Sequence, residues 1–110
     1  MLRITREDES RSRATLRLEG TVAGEWTWLL QKECAVLLES HSVVSLDLAD
    51  VTYVDRGGIE VLERLSRAGV EIWCRWEPVA SVLEGEGVRI RRNFGSDGRD
   101  DGKGESDERR

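Results

Sequence analysis

The stretch VVSLDLADVTYVDRGG, residues 43–58, constrains the fold more than any other part of the sequence. Its first half alternates apolar and polar residues, which is the period of a strand with one buried face. Asp55 then precedes two glycines and a helical pattern that starts at Ile59. Asp55 is a favourable N-cap, because its carboxylate can accept hydrogen bonds from the free N–H groups of a first helical turn. The stretch therefore predicts a strand that leads into a capped helix, which is a common place for a functional site.

The other periodic patterns complete the element order β-β-α-β-α-β-α. The charged run at residues 6–13 is typical of a solvated hairpin loop between the first two strands. Gly20 is expected to end the second strand, and Gly69 the second helix. The predicted strands are residues 2–5, 14–20, 43–48 and 70–75. The predicted helices are residues 25–40, residues 56–68 and a short helix that begins near Pro78. A last edge strand would contain Val88, Ile90 and Phe94.

The strands alternate apolar and polar residues instead of running continuously apolar. A parallel sheet that is covered by helices on both faces would show continuous apolar runs. We therefore expect an α/β fold in which helices pack on one face of a mixed sheet of about four to five strands. The other face would be left to water or to a partner. The two strands that flank the second helix should be parallel and joined by a right-handed crossover.

Length and charge narrow the classes of function. The chain has 110 residues, enough for one small domain, and a net charge of -5, which makes nucleic acid an unfavourable partner. Its apolar runs are too short to span a membrane, and MLRITREDES is not a signal region, so we expect a cytoplasmic protein without membrane insertion. From Gly95 onward no residue is apolar, which predicts a domain at 1–94 and a disordered charged tail at 95–110.

Cysteine, histidine and aspartate offer little chemistry. Cys34 and Cys74 lie far apart without a CxxC motif and are expected to be buried and reduced. His41 is the only histidine, and no pattern near it indicates further zinc ligands or the other members of a Ser-His-Asp triad. Three aspartates lie near the strand ends, Asp47, Asp50 and Asp55. A metal site is a weak interpretation of this group, because Asp47 should point to the open face of the sheet and Asp55 is better used as a helix cap.

Four tryptophans are many for a chain of this length. Trp26 is predicted to join the core and Trp28 to lie on the outer side of the first helix. Trp73 should lie on the open face of the sheet, with Trp76 just beyond it. Exposed large apolar side chains often mark contact surfaces, so a homodimer through the open face near Trp73 is one hypothesis. The alternative is that Trp73 packs under the charged loop or tail.

The element order, together with SLDLADVTYVDRGGIEVLERL, GVEIWC and PVASVLEG, resembles the STAS domain family. This family includes bacterial anti-sigma factor antagonists and the small STAS subunits of some transporters. The resemblance covers about residues 2–94. It implies a STAS-like fold and a binding module that is not an enzyme, with no catalytic residues, metal or cofactor.

The resemblance also points to a missing switch. In phosphoregulated antagonists the motif resembles D-S-S-G, and a partner kinase phosphorylates the second serine. Here Asp55 matches the aspartate, Gly58 the glycine and Arg56 the first serine, whereas Gly57 stands at the phosphoacceptor. Gly57 has no hydroxyl, so the addition of about -1.5 to -2 charges by a phosphate is chemically impossible at this position.

The same resemblance predicts that the start of the second helix binds a protein partner. Arg56 places a cation at the positive end of that helix, which costs up to about 1 kcal/mol unless an acid offsets it. Within the chain, this cost would be offset by Asp55, Asp50 or Glu60. Across an interface, it would be offset by a carboxylate of the partner. The predicted partner-binding residues are Asp55, Arg56, Gly57, Gly58, Ile59, Glu60 and Glu63.

The resemblance leaves three functions open. The first is a bacterial regulator of transcription that docks an anti-sigma factor or a kinase-like regulator. The second is a STAS subunit of an ABC-type transport complex that docks the transporter ATPase. The third is a nucleotide or anion sensor, because Gly57 and Gly58 at a helix start would expose N–H groups to a phosphate.

Overall fold

A computed structural model describes residues 1–92 of the chain, which form seven helices and strands in the predicted order. The expected edge-strand residue Phe94 and the expected tail at 95–110 lie outside the described residues. No helix in the described part is long and apolar enough to span a membrane. The elements are β1 Leu2–Glu9, β2 Arg13–Val22, α1 Trp26–Ser40, β3 Val43–Val54, α2 Arg56–Arg67, β4 Glu71–Trp73 and α3 Glu77–Gly85.

The four strands form one mixed sheet in the order β1-β2-β3-β4. The first pair is antiparallel, and the other two pairs are parallel. The register aligns Leu16, Leu46 and Ile72 in one row across three strands, and all three side chains are buried. This confirms the predicted mixed sheet and the parallel pair around α2.

The apolar face of the sheet and the apolar stripes of the helices make one core. Alternate residues of the central strands are buried on this face, as the period of two predicted. Cys34 and Cys74 are buried within the core as free thiols, and Trp26 is only partly buried against it. The buried residues of α1 are Leu30, Cys34 and Leu37, and those of α2 are Gly58, Ile59, Val61, Leu62 and Leu65.

The opposite face of the sheet carries polar side chains that bind one another. The Ser45 hydroxyl donates to Glu71 at 3.0 Å, and Arg13 lies 3.6 Å from the same carboxylate. Arg17 pairs with Asp50 on the same sheet. The Arg91 guanidinium and the Trp73 ring form another such pair, with 5.5 Å to the ring centroid. This face is therefore a charged surface whose groups are largely paired within the chain.

Several predicted strand boundaries were wrong, and β4 is also shorter than the predicted 70–75, because it spans only Glu71–Trp73. β1 continues through the charged run to Glu9, so the loop to β2 is short, and β3 continues through the expected break to Val54. β2 passes Gly20 and ends at Val22, because Gly20 adopts a positive φ of 101° where the register of the strand shifts. A Cβ at Gly20 would lie 2.3 Å from the Met1 carbonyl oxygen, so only glycine fits there.

Within residues 1–92, the expected last edge strand is represented by one parallel bridge, between Trp73 and Arg91. The Arg91 N–H donates to the Ile72 carbonyl, and the Cys74 N–H donates to the Arg91 carbonyl, both at 2.8 Å. Of the apolar residues assigned to that strand, Val88 is buried and packs into the core.

Candidate functional site

The start of α2 lies at the carboxyl ends of the parallel strands β2 and β3. These strands remain paired to their last residues, Val22 and Val54, and the Asp55 N–H donates to the Val22 carbonyl at 3.1 Å. The carboxyl edge of parallel strands is where α/β folds place their binding sites. We call residues 55–60 the α2 tip.

Asp55 is the N-cap of α2, as predicted, and it also holds the turn before α1. Its Oδ1 accepts a hydrogen bond from the Gly58 N–H at 2.7 Å, and its Oδ2 accepts one from the Gly24 N–H at 3.1 Å. The second bond was not predicted, because nothing in the local pattern relates Gly24 to Asp55. One carboxylate thus satisfies a free donor of α2 and fixes the approach of α1 to it.

The two glycines of the α2 tip differ in their surroundings. A Cβ at Gly58 would lie 2.2 Å from the Val22 carbonyl oxygen and 2.8 Å from a Val54 methyl, so the helix approaches the sheet too closely for any other residue. A Cβ at Gly57 would meet only the Asp55 carboxylate, at an ordinary 3.6 Å. Gly58 is therefore required by packing, whereas Gly57 leaves room for a side chain.

Arg56 has an acidic partner that the sequence did not indicate. Its Nη1 lies 3.0 Å from Oε1 of Glu86, the residue that follows α3, while its side chain stays 68% exposed. Asp50, one of the three acids expected to offset this charge locally, pairs with Arg17 instead. An acid at this place offsets the cost of a cation at a helix N-terminus. The pair also links the α2 tip to the end of α3.

The predicted partner-binding residues differ in exposure. Arg56 and Glu60 are exposed, and Gly57 is half-buried. Glu63 is also half-buried and forms an ion pair with Arg67 at 2.8 Å. The remaining members of the predicted set have other positions: Asp55 is the half-buried cap, and Gly58 and Ile59 are buried under the tip.

An apolar groove lies beside the α2 tip, and the sequence did not predict it. It has a volume of about 200 Å³ between the end of β3 and α3. Of its lining residues, Tyr53 is 56% exposed and Val82 is 48% exposed. Val82 and Glu86 lie four residues apart, so the groove adjoins the acid that binds Arg56. We call this the Tyr53–Val82 groove; its lining residues are Thr52, Tyr53, Val54, Pro78, Val79 and Val82.

The three aspartates considered for a metal site have separate contacts. Asp47 accepts a hydrogen bond from the Ala49 N–H at 2.9 Å, Asp50 binds Arg17, and Asp55 caps α2. No group of three or more ligating side chains comes together within residues 1–92.

Comparison with known proteins gives a fold relationship. No model of a known protein family matches the chain, and no curated protein matches it in sequence. Fourteen chains of solved structures match. The unphosphorylated form of the anti-sigma factor antagonist SpoIIAA has a TM-score of 0.72 at 12% identity, with 86% of this chain and 90% of that chain covered.

Two further structures agree with that result. An anti-sigma factor antagonist from Mycobacterium paratuberculosis has a TM-score of 0.66 at 14% identity, with 86% and 88% of the two chains covered. The phosphorylated form of the Bacillus cell fate determinant SpoIIAA has a TM-score of 0.65 at 12% identity, with 86% and 94% covered. The predicted STAS fold is thereby confirmed.

Proposed function

We propose that this protein is a non-catalytic protein-interaction module that docks a regulatory partner through the α2 tip and the Tyr53–Val82 groove. The fold shared with anti-sigma factor antagonists supports an interaction role. The observation that carries the proposal is the combination of exposed charge and apolar surface at the start of α2. The exposed cation of Arg56 pairs with Glu86 at the end of α3, beside a groove with an exposed aromatic ring, Tyr53.

This combination has the anatomy of a protein interface. Interfaces place an apolar centre inside a polar rim, and aromatic and arginine side chains supply much of their binding energy. Tyr53 and Val82 would form the apolar centre, and Arg56 would lie on the rim. The partner we propose is an anti-sigma factor or a kinase-like regulator, in the cytoplasm of a bacterium, with transcription as the regulated process.

Binding at this surface would be independent of serine phosphorylation at the α2 tip. Gly57 offers no hydroxyl, and the residue before it, Arg56, carries an exposed cation. The charge that this surface presents to an acidic group of the partner would therefore not be changed by phosphorylation at position 57. Regulation would depend on the amounts of the two proteins or on the partner's own state.

The proposal is tested by co-purification from the native host, followed by affinity measurements on the purified pair. Arg56→Glu and Tyr53→Ala should each weaken the specific complex by about tenfold or more, because both remove side chains of a proposed interface centre or rim. Mass spectrometry of the captured protein distinguishes an anti-sigma factor or kinase-like regulator from a transporter ATPase.

Two matched variants control for charge and for aromatic area. Arg75→Glu and Trp28→Ala change exposed residues that belong neither to the α2 tip nor to the Tyr53–Val82 groove, and they should leave the affinity unchanged. Buried Ile59 is unsuitable for this test, because its replacement would also disturb the packing of the core. If Arg56→Glu and Tyr53→Ala both retain the partner at the affinity of the parent protein, the contact lies elsewhere and the proposal is wrong.

A further inference from the structure

β1 is an edge strand of the sheet with an unused row of backbone groups. In the described residues it pairs with β2 alone. The Thr21 N–H donates to the Met1 carbonyl at 2.8 Å, so Met1 and Thr21 are a hydrogen-bonded pair of the antiparallel ladder. Because such pairs alternate, Leu2, Ile4 and Arg6 direct their N–H and C=O groups away from β2. A strand of another molecule could pair with this row.

The charges of β1 are divided into two halves. The strand reads LRITREDE, with Arg3 and Arg6 in its first part and consecutive acids at residues 7–9. Within the chain some of these charges have partners: Arg6 lies 3.4 Å from Glu9, Glu9 also lies 3.0 Å from His41, and Glu7 lies 3.8 Å from Arg17. The side chains of Arg6 and Glu9 nevertheless remain at least 41% exposed. If an antiparallel copy pairs Ile4 of one molecule with Arg6 of the other, Arg3 of each strand lies opposite Glu7 of the other strand. Opposite charges across a strand pair are stabilising.

An apolar groove lies along the same strand. It has a volume of about 310 Å³ and is lined by Ile4, Leu16 and Leu29, with Arg6 and Glu33 at its rim. Ile4 and Leu29 are only half-buried, although both lie on the side of the sheet that carries the core. A strand added to the edge of β1 would cover Ile4 and extend the core across the new pair.

We infer that β1 is a homodimerisation edge, at which a second copy of this chain pairs antiparallel to form one continuous sheet. The strand is complementary to itself in charge, it has outward backbone donors and acceptors, and it adjoins an apolar groove. A two-fold axis makes each contact occur twice, as in most homodimers. The inference does not rest on the proposed function, because the edge and the α2 tip are different surfaces.

The dimer is tested by sedimentation equilibrium of the whole chain from micromolar to millimolar concentration. The mass should rise from the 12.5 kDa of one chain towards twice that value. Arg3→Glu with Arg6→Glu makes β1 acidic throughout, and Glu7→Arg with Glu9→Arg makes its charged residues basic apart from Asp8. Each double variant should raise the dimer Kd by about tenfold or more, through like charges that face one another.

The decisive result is an equimolar mixture of the two double variants, which should form a heterodimer although each variant alone is monomeric. Arg75→Glu with Arg89→Glu makes the same change in net charge at exposed residues outside β1 and should leave the dimer intact. A parent protein that remains monomeric, a mixture that does not associate, or a control pair that dissociates equally would each overturn the inference. Circular dichroism checks that every variant is folded.

Hydrogen exchange of the unmodified protein gives an independent test. The amides of Leu2, Ile4 and Arg6 should become more protected as the concentration rises, because only the second copy can bind them. The amides of Arg3 and Thr5 point towards β2 and should be protected at every concentration. If association instead protects residues around Trp73 and leaves the outward amides of β1 unchanged, the dimer forms through the open face and the inference is wrong.

Discussion

At the scale of single residues, Gly57 and Gly58 show how the same residue type can serve opposite purposes. Gly58 lies where the first turn of α2 touches the backbone of β2, so the absence of a Cβ lets helix and sheet meet. Gly57 faces only its own cap residue. The sequence indicates that both belong to a helix start, but it does not distinguish them, because the difference lies in the distance to another segment of the chain.

Substitution by alanine should separate the two roles. Gly58→Ala is expected to lower the free energy of unfolding by about 2 kcal/mol or more, because a methyl group 2.2 Å from a carbonyl oxygen forces the helix away. Gly57→Ala is the matched control and should leave stability unchanged or raise it by up to about 1 kcal/mol, since the unfolded chain loses freedom. Urea unfolding measures both. Equal losses at the two positions would contradict the packing described here.

At the scale of elements, the relation between α1 and α2 depends on the Asp55 carboxylate. The cap itself follows from a local rule, and the sequence predicted it. The bond to Gly24 joins the two helices and depends on the tertiary fold, so no local pattern indicates it. The pair of Arg56 with Glu86 is of the same kind, because its partners lie 30 residues apart.

Removal of the carboxylate should therefore affect both helices. Asp55→Ala is expected to cost about 1–2 kcal/mol of unfolding free energy, and Asp55→Asn less, because the amide keeps one accepting oxygen. In NMR spectra of Asp55→Ala, the amide signals of Gly58 and Gly24 should both shift. A Gly24 signal that stays in place would show that the carboxylate does not hold the turn before α1.

Strand length is another property that local patterns describe poorly. The charged run of β1 has the composition of a loop, yet its backbone pairs with β2 as far as Glu9. Edge strands tolerate charged side chains because one side of the strand and one face of the sheet meet water. β3 crosses the expected break after Leu48 by a shift of register against β2. Alternation indicates which residues share a face, whereas pairing partners decide where a strand ends.

At the scale of the whole molecule, the two faces of the sheet differ: one is apolar and covered by helices, and the other carries charged side chains. The alternating pattern predicted this division and the burial of Cys74 after β4, and the helical period of α1 predicted the burial of Cys34. The α2 tip was predicted from the residues that carry the family resemblance. The Tyr53–Val82 groove was not, because it forms only where the end of β3 and α3 come together.

The buried thiols make stability depend on pH. Burial, with a smaller effect of Glu33, raises the pKa of Cys34 from 9.0 to about 12, and burial also raises the pKa of Cys74. Above about pH 9 the unfolded chain loses thiol protons that the folded chain keeps, so the free energy of unfolding falls as pH rises, by up to about 1.4 kcal/mol per pH unit for one thiol.

Urea unfolding at several pH values between about 8 and 10 measures this slope. Cys34→Ala is the control: it lowers stability at every pH by removing a buried group, but its stability should fall less steeply with pH. A slope equal to that of the parent protein would show that Cys34 ionises as easily in the folded state as in the unfolded one.

The open space around Gly57 makes this position tolerant of a side chain. A Cβ there would contact only the Asp55 carboxylate, at an ordinary distance. A serine at this position would therefore add a hydroxyl to the start of α2 without any rebuilding of its neighbours, whereas the glycine beside it leaves no room for a side chain.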